Sequence, residues 1–233
     1  MRRGAERIFV ALDVPTVEAA RALVDTLGDS VGGLKIGLEL VMGGGLKLAE
    51  ELAREGRRVF LDMKLLDIPN TVEGAAANAA EAGVAYLTVH GTDRKTLDAA
   101  VKGRGNSKTK LLAITVLTSL GSADLREQGS TMAVEELVVH RARLANAAGF
   151  DGVVASPLEI AAIRAAVGQS LEIVTPGVRP AGAARGDQTR VMTPAEAIRA
   201  GATALVVGRP ITAVADPRAA ALAIGAEIEA ALG

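Results

Sequence analysis

The sequence contains no cysteine and no tryptophan, and aromatic residues make up only 2% of it. The absence of cysteine excludes disulfides, cysteine-ligated zinc and thiol redox chemistry. The scarcity of aromatic rings argues against a stacking platform for single-stranded nucleic acid. With only two histidines, a histidine-rich metal site is not expected either. The core must therefore be built from Ala, Val, Leu and Ile.

The chain also lacks an excess of charge of one sign and a long apolar run. Lys and Arg number 26 against 27 Asp and Glu, so nothing indicates DNA or an anionic membrane as a partner. The first apolar run, 8–12, stops at Asp13 and is too short for a signal-peptide core or a membrane span. With 233 residues, of which 49% are hydrophobic, we expect one soluble, cytoplasmic domain spanning 1–233.

Short β-branched runs recur along the chain, and each is followed by an Ala-rich amphipathic stretch. The runs are nearly continuous in apolar residues, as in parallel strands that are covered on both faces. The predicted strands are 8–12, 33–36, 58–63, 85–89, 111–116, 152–155, 172–175 and 204–207. This pattern predicts a single-domain (β/α)8 TIM barrel. A doubly wound open sheet is the alternative, but no G-x-G-x-x-G motif follows the first strand.

Capping residues and glycines mark the ends of the predicted helices, which include 15–27, 71–82, 134–148, 193–200 and 213–232. Asn70 is the expected N-cap of the second of these, with Glu73 completing a capping box. Thr193 and Pro194 are a cap and a first-turn proline. Glycines suited to a left-handed C-cap position follow six helical stretches, at Gly28, Gly56, Gly83, Gly149, Gly168 and Gly201.

Two aspartates and two lysines lie at the ends of the first three predicted strands, where the active site of a barrel is expected. They are Asp13, Lys35, Asp62 and Lys64, and Asp67 follows one turn later. Asp62 and Lys64 are two residues apart on one strand, so we expect both side chains on the same face. A lone D-x-K is more simply a solvated charge pair. Alternating charges on neighbouring strands indicate a catalytic centre instead, since burying an unpaired charge inside a barrel costs free energy.

A second group of residues follows the last two predicted strands. The stretch 175–180 reads Thr-Pro-Gly-Val-Arg-Pro and leads into the loop 181–190, while Gly208 and Arg209 end the eighth strand. Loops at these positions commonly bind phosphate in this fold. Glycine N–H groups and an arginine fork suit that ligand. Ordinary turn chemistry is the alternative for the Pro and Gly residues.

Together these motifs resemble the orotidine 5′-phosphate decarboxylase family, in its compact bacterial branch. The resemblance runs from Leu12 to Ile211. Its specific motifs are Asp62-x-Lys64-x-x-Asp67-Ile68-Pro69-Asn70-Thr71, Thr175-Pro176-Gly177-Val178-Arg179-Pro180 and Gly186-Asp187-Gln188-x-Arg190. The resemblance implies a lyase of pyrimidine biosynthesis that decarboxylates orotidine 5′-monophosphate to UMP without a cofactor or a metal.

The resemblance also implies the roles of individual residues. Asp62, Lys64 and Asp67 would form the catalytic array, with Lys64 as the proton donor. Asp67, Ile68 and Thr71 would enter the active site of a partner subunit, which implies a homodimer with two shared sites. The implied substrate-binding residues are Asp13 and Lys35 for the ribose, Thr118 and Ser119 for the pyrimidine, and Arg179, Gln188, Gly208 and Arg209 for the phosphate, under a closing loop at 181–188.

The expected chemistry explains why a lysine would stand between two acids. Loss of CO₂ from C6 leaves a carbanion that the pyrimidine ring delocalises poorly, and most decarboxylases supply a cofactor as electron sink. A fixed ammonium group beside C6 can stabilise that charge instead and then protonate it. Asp62 and Asp67 would keep Lys64 charged.

Three alternatives remain open from the sequence. Mg²⁺-dependent sugar-phosphate decarboxylases and aldolases of the same barrel group share the Asp62-x-Lys64-x-x-Asp67 pattern, but they carry a metal-binding Glu where this chain has Lys35. A non-catalytic phosphate-binding barrel would not need the charged array, and nor would a phosphoribosyl isomerase barrel.

His90, at the end of the fourth strand, either lines the site or is a hydrogen-bonded structural residue, and we leave it out of the catalytic set. His140 is expected on the surface or in helix packing.

Overall fold

The computed structural model describes residues 3–180 and 192–233. Within them, eight parallel strands form a closed barrel in which each strand pairs with its neighbours in sequence and β8 returns to β1. The strands are β1 (Ile8–Ala11), β2 (Gly33–Gly37), β3 (Val59–Leu65), β4 (Tyr86–His90), β5 (Lys110–Ile114), β6 (Gly152–Val154), β7 (Glu172–Thr175) and β8 (Ala204–Val207). The predicted TIM barrel is confirmed, and the open-sheet alternative is excluded.

Helices cover the outside of the barrel. They are α1 (Arg3–Glu6), α2 (Val17–Leu27), α3 (Leu38–Leu40), α4 (Leu46–Arg54), α5 (Pro69–Glu81), α6 (Arg94–Arg104), α7 (Ser122–Glu127), α8 (Val134–Ala148), α9 (Ile160–Val167), α10 (Pro194–Ala200), α11 (Arg209–Thr212) and α12 (Pro217–Ala231). A π-helical segment, Val41–Gly45, separates α3 from α4, and a 3-10 turn, Pro157–Glu159, precedes α9. None of the helices in the described ranges is long and apolar enough to cross a membrane.

The predicted start of α5 is wrong by two residues. The helix begins at Pro69, and Ile68 is its N-cap, so Asn70 lies inside the first turn. Proline suits the first helical position because its missing N–H would have no partner there and its φ is already helical. Glu73 consequently forms no capping box, and its carboxylate accepts a hydrogen bond from Lys102 on α6 at 2.9 Å.

The other predicted helix ends agree with the structure to within two residues, except that the closing helix, predicted to start at 213, begins at Pro217 after an N-cap at Asp216. Thr193 caps α10, and its hydroxyl and the Glu196 carboxylate each accept a hydrogen bond from the other's backbone N–H. All six predicted C-cap glycines have positive φ. Gly28 and Gly168 nevertheless depart from the left-handed helical conformation, because their ψ angles are −122° and −135°.

Aromatic rings close the N-terminal end of the barrel interior. Phe9, Phe60 and Tyr86 pack edge to face, with centroid separations of 5.2–5.9 Å. The Tyr86 hydroxyl donates to the Glu172 carboxylate at 2.6 Å, and Lys110 pairs with the same carboxylate. Burial and this acidic neighbour raise the pKa of Tyr86. We call the three rings the aromatic floor; they fill the N-terminal end of the barrel, so the site is expected at the opposite end.

Candidate active site

A cavity of about 420 Å³ opens where the strands end at their C-termini. Its lining divides by chemistry around the barrel. Charged side chains come from β1–β3 and from the segments after β7 and β8, whereas the side at β5 and β6 is apolar. The apolar residues that line the cavity on this side are Ile114, Val116, Leu117, Val154 and Ala155. The cavity therefore suits a ligand with a flat, weakly polar portion and a strongly charged portion.

Four charged side chains form a continuous line of ion pairs in this cavity. The Lys35 ammonium lies 3.0 Å from Asp13 Oδ1 and 3.6 Å from Asp62 Oδ2. Lys64 Nζ lies 2.8 Å from the same Asp62 oxygen. Asp62 and Lys35 are each 8% exposed. Because each buried charge faces an opposite one, mutual attraction offsets the cost of desolvation. We call Asp13, Lys35, Asp62 and Lys64 the ion-pair line.

The environment of Asp62 fixes its ionisation state. Burial raises the pKa of Asp62, but the charges of Lys35 and Lys64 and the hydrogen bonds from Lys64 and Thr88 together lower it below the ordinary value. A depressed pKa means that the folded state favours the carboxylate. Asp62 therefore contributes stability above pH about 4, and this contribution is lost as the pH falls through its folded pKa.

The backbone of Lys64 is unusual. Its φ is 50°, and it is the one non-glycine residue with positive φ among those that the structure describes. The pairing of β3 with β4 also shifts register between Leu61 and Leu65. Lys64 therefore reaches Asp62 as predicted, but regular strand alternation does not explain the contact. A side chain in this region of φ costs energy that the surrounding structure must offset.

Thr88 belongs to the site although the sequence did not indicate it. This fully buried residue of β4 donates a hydrogen bond to Asp62 Oδ1 at 2.9 Å. Its hydroxyl also accepts one from the backbone N–H of Lys64 at 2.8 Å. The register between β3 and β4 brings these three groups together, and no local sequence motif predicts this contact.

The segments after β7 and β8 meet at one end of the cavity. Arg179, Gly208 and Arg209 all line it, together with Pro176 and Gly177. Three of the four predicted phosphate residues thus line the same cavity. Gln188, the predicted closing loop 181–188 and the Gly186-Asp187-Gln188-x-Arg190 motif lie outside the described residues.

The structure separates the remaining predicted residues. Thr118 lines the cavity, whereas Ser119 is exposed and does not. Asp67, Ile68 and Thr71 are also exposed, outside the cavity of their own chain. The Asp67 carboxylate accepts a hydrogen bond from the Ile68 N–H at 2.6 Å. A single chain thus presents Lys64 in the cavity without the second acid expected beside it.

The two histidines take no part in the lining of the cavity. Burial lowers the pKa of His90, and the charges of Arg141 and Lys64 lower it further against the opposing effect of Asp62. Its ring is therefore neutral near pH 7. Within the described part of the chain the imidazole ring forms no hydrogen bond. His90 is therefore seen neither lining the site nor as a hydrogen-bonded structural residue. His140 is exposed on α8, as predicted.

Comparison with known proteins agrees with this geometry. A family model described as orotidine 5′-phosphate decarboxylase / HUMPS family matches residues 6–224. An orotidine 5′-phosphate decarboxylase of Rhodopseudomonas palustris (strain ATCC BAA-98 / CGA009) is 54% identical over 228 residues, covering 98% of this chain and 96% of the relative. One from Bradyrhizobium sp. (strain ORS 278) is 52% identical over 227 residues, covering 97% and 93%.

Solved structures give the same result at lower sequence identity. The crystal structure of orotidine 5′-phosphate decarboxylase from Lactobacillus acidophilus superimposes with a TM-score of 0.85 at 37% identity, covering 95% of this chain and 98% of that one. Both the sequence and the barrel are thus shared over nearly their whole length. The chain therefore belongs to the orotidine 5′-phosphate decarboxylase / HUMPS family.

Proposed function

We propose that the ion-pair line is the catalytic centre of an orotidine-5′-phosphate decarboxylase. The chain is a carboxy-lyase that produces UMP in pyrimidine biosynthesis, as its family membership and its 54% identity to curated enzymes establish. The observation that carries our assignment of the centre is Lys64, whose ammonium is held by Asp62 at 2.8 Å inside the cavity. A cytoplasmic location stays a prediction of the sequence.

The reaction breaks the bond between C6 of the pyrimidine and its carboxylate carbon. The electron pair stays on C6, CO₂ leaves, and the Lys64 ammonium delivers a proton to C6. Before that transfer its positive charge stabilises the developing carbanion, at a position that Asp62 has already fixed. Such preorganised electrostatic stabilisation is usually the largest single contribution to catalysis. The proton is replaced from solvent after the product leaves.

The rest of the cavity accounts for the rest of the nucleotide. We assign the ribose hydroxyls to Asp13 and Lys35, and the pyrimidine to Thr118 against the apolar side at β5 and β6. Arg179 and Arg209 provide the charge for the phosphate, beside the backbone at Gly208 and Gly177. Contacts from Ser119 and Gln188 stay predictions. Binding of the remote phosphate can lower the barrier at C6 if it helps to close the site.

A magnesium-dependent sugar-phosphate reaction is the second candidate, because the family description covers more than one activity. Lys35 argues against it. Its ammonium already pairs with Asp13 and Asp62, at 3.0 Å and 3.6 Å, which are the carboxylates that a cation at this position would use. A divalent ion here would face a fixed positive charge at close range.

The test is the absorbance change of orotidine 5′-monophosphate with the purified protein in excess EDTA. We expect conversion to UMP at an undiminished rate. Turnover of a keto-sugar phosphate that depends on added Mg²⁺, with none of the nucleotide, would assign the chain to the metal-dependent activity. Activity on neither substrate would favour a barrel that only binds phosphate ligands.

We further propose that two chains share each site as a homodimer. Asp67, the second acid of the motif, lies outside its own cavity, and Ile68 beside it is 67% exposed. Further exposed apolar side chains lie at the same end of the barrel, where Leu38 and Met42 follow β2 and Leu66 follows β3. Their exposures are 49%, 85% and 55%. Pairing of two such surfaces would bury these side chains and carry Asp67 to the Lys64 of the partner.

Mixing two inactive variants tests this arrangement. Lys64→Ala and Asp67→Asn each remove one residue of the array, so each homodimer has two defective sites. In a mixed dimer, one site lacks both residues and the other is intact. After unfolding and refolding the variants together in equal amounts, we expect activity to return to about a quarter of the wild-type value, because half of the dimers are mixed.

A control separates shared sites from simple dimerisation. The control mixes Lys64→Ala with Asp62→Asn. Lys64 and Asp62 line the cavity of the same chain, so each site of a mixed dimer still has one defect and no activity should return. Restoration in that pair as well, or in neither pair although mixed dimers are detected, would show that Asp67 does not act across the interface.

A further inference from the structure

We propose that Thr88 is a positioning residue for the decarboxylation, acting through both Asp62 and Lys64. This inference rests on the proposed catalytic centre and names a residue that fixes its geometry. Thr88 is fully buried in β4, and its hydroxyl lies between the Asp62 carboxylate and the Lys64 backbone. It does not line the cavity, so it acts through these two residues and not on the substrate.

The direction of each hydrogen bond at Thr88 is fixed by chemistry. A backbone N–H can only donate, so the hydroxyl oxygen accepts from Lys64 at 2.8 Å. An ionised carboxylate can only accept, so the single hydroxyl proton goes to Asp62 Oδ1 at 2.9 Å. One hydroxyl therefore binds both residues at once. Its single proton is used by Asp62, so it cannot donate a second hydrogen bond.

The carboxylate of Asp62 is oriented by this contact. Oδ1 is held by Thr88, while Oδ2 faces the ammonium groups of Lys64 and Lys35, at 2.8 Å and 3.6 Å. Without the hydroxyl, rotation of the carboxylate would carry Oδ2 away from Lys64. A misplacement of a catalytic group by about an ångström can lower the rate by about 100-fold.

The backbone of Lys64 is supported at the same point. The register shift between β3 and β4 takes its N–H out of the regular ladder, and the Thr88 hydroxyl supplies the acceptor. This bond helps to hold φ at 50°, a conformation that a lysine does not adopt without support. The catalytic ammonium therefore depends on Thr88 both through its own backbone and through its carboxylate partner.

The experiment compares Thr88→Val with Thr88→Ser. Valine preserves the shape of threonine and removes the hydroxyl, whereas serine preserves the hydroxyl. We expect Thr88→Val to lower kcat by about 10- to 100-fold, with KM and the UMP inhibition constant within about twofold of wild type. The variant loses one charge-assisted hydrogen bond to Asp62 and one to the Lys64 backbone, but no substrate contact. Thr88→Ser should recover kcat to within about threefold.

Thr109→Val is the matched control. Thr109 is 4% exposed, and its hydroxyl donates to the Val84 carbonyl at 2.8 Å near the start of β5, at the end of the barrel away from the site. Its loss removes a comparable buried hydrogen bond, so we expect a similar fall in thermal stability with kcat unchanged. A purely structural role for Thr88 would make the two valine variants alike in kcat.

The acid limb of the kcat profile is a second readout. The charged and titratable groups that face Asp62 are Lys35 on β2, Lys64 on β3 and His90 on β4, and all three remain in the variant. Removal of a hydrogen bond to the carboxylate raises the pKa of Asp62, so the acid limb should move to higher pH in Thr88→Val and return in Thr88→Ser.

Several outcomes would overturn the proposal. They are a kcat for Thr88→Val within twofold of wild type, a serine variant as slow as the valine variant, or a loss confined to KM. If Thr88→Val does not fold, Thr88→Ala removes the same hydroxyl and is judged by the same criteria against Thr88→Ser. Absence of turnover in the wild type would instead contradict the proposed function, so the two failures are distinguishable.

Discussion

Replacement of Lys64 by alanine is expected to abolish turnover while UMP still binds. The substitution removes both the positive charge beside C6 and the proton that C6 receives. General acid catalysis contributes a factor of about 10²–10⁴ and one preorganised electrostatic contact about 10²–10³, so kcat should fall by about four orders of magnitude or more. The inhibition constant of UMP should stay within about tenfold of wild type, because the phosphate and ribose contacts remain.

The structure indicates that this variant keeps its fold. Asp62 retains Lys35 as a partner at 3.6 Å and Thr88 at 2.9 Å, so no buried carboxylate is left alone. Lys47→Ala, at an exposed position of α4, is the matched control and should leave kcat unchanged. Retention of more than a few per cent of the wild-type rate in Lys64→Ala would contradict the role of Lys64 as stabiliser and proton donor.

Replacement of Arg209 by alanine is expected to act chiefly on binding. Arg209 lines the cavity directly after β8, and a guanidinium forms paired, charge-assisted hydrogen bonds with phosphate. Its loss should raise the UMP inhibition constant and KM by about 100-fold, the effect of losing hydrogen bonds to a charged group. The affinity for uridine, which lacks the phosphate, should be unaffected.

The comparison of nucleotide with nucleoside isolates the phosphate contribution. Arg199→Ala, at an exposed position on α10, is the control for removal of an arginine and should change neither constant. An unchanged inhibition constant for UMP in Arg209→Ala would show that the phosphate lies elsewhere. An equal loss of affinity for UMP and uridine would show that Arg209 acts through the shape of the cavity and not through phosphate.

The barrel was predictable because its signal is local. Each strand reads as a short, nearly continuous apolar run, since parallel strands are covered on both faces. The contacts of Asp13, Lys35 and Asp62 follow from the same pattern, because the ends of adjacent parallel strands must meet. The start of α5 was placed wrongly since two capping signals overlap there, and Pro69 determines the first turn more strongly than Asn70.

Other parts of the site depend on relations that no single segment encodes. Thr88 joins the centre through an irregular pairing between two strands, and a buried threonine in a strand otherwise indicates only packing. The strained backbone of Lys64 depends on the same irregularity. Asp67 belongs to a motif that is contiguous in sequence, yet in space it lies outside the cavity of its own chain. The role that we propose for it depends on a second chain.

The aromatic floor gives the protein a convenient optical property. Tyr86 is the only tyrosine, and no tryptophan is present, so the chain contributes little absorbance where a pyrimidine nucleotide absorbs. Because burial and Glu172 hold the phenol in its protonated form, the phenolate band should emerge in alkaline solution when the barrel opens. One chromophore at the end of the barrel away from the substrate thus reports unfolding separately from catalysis.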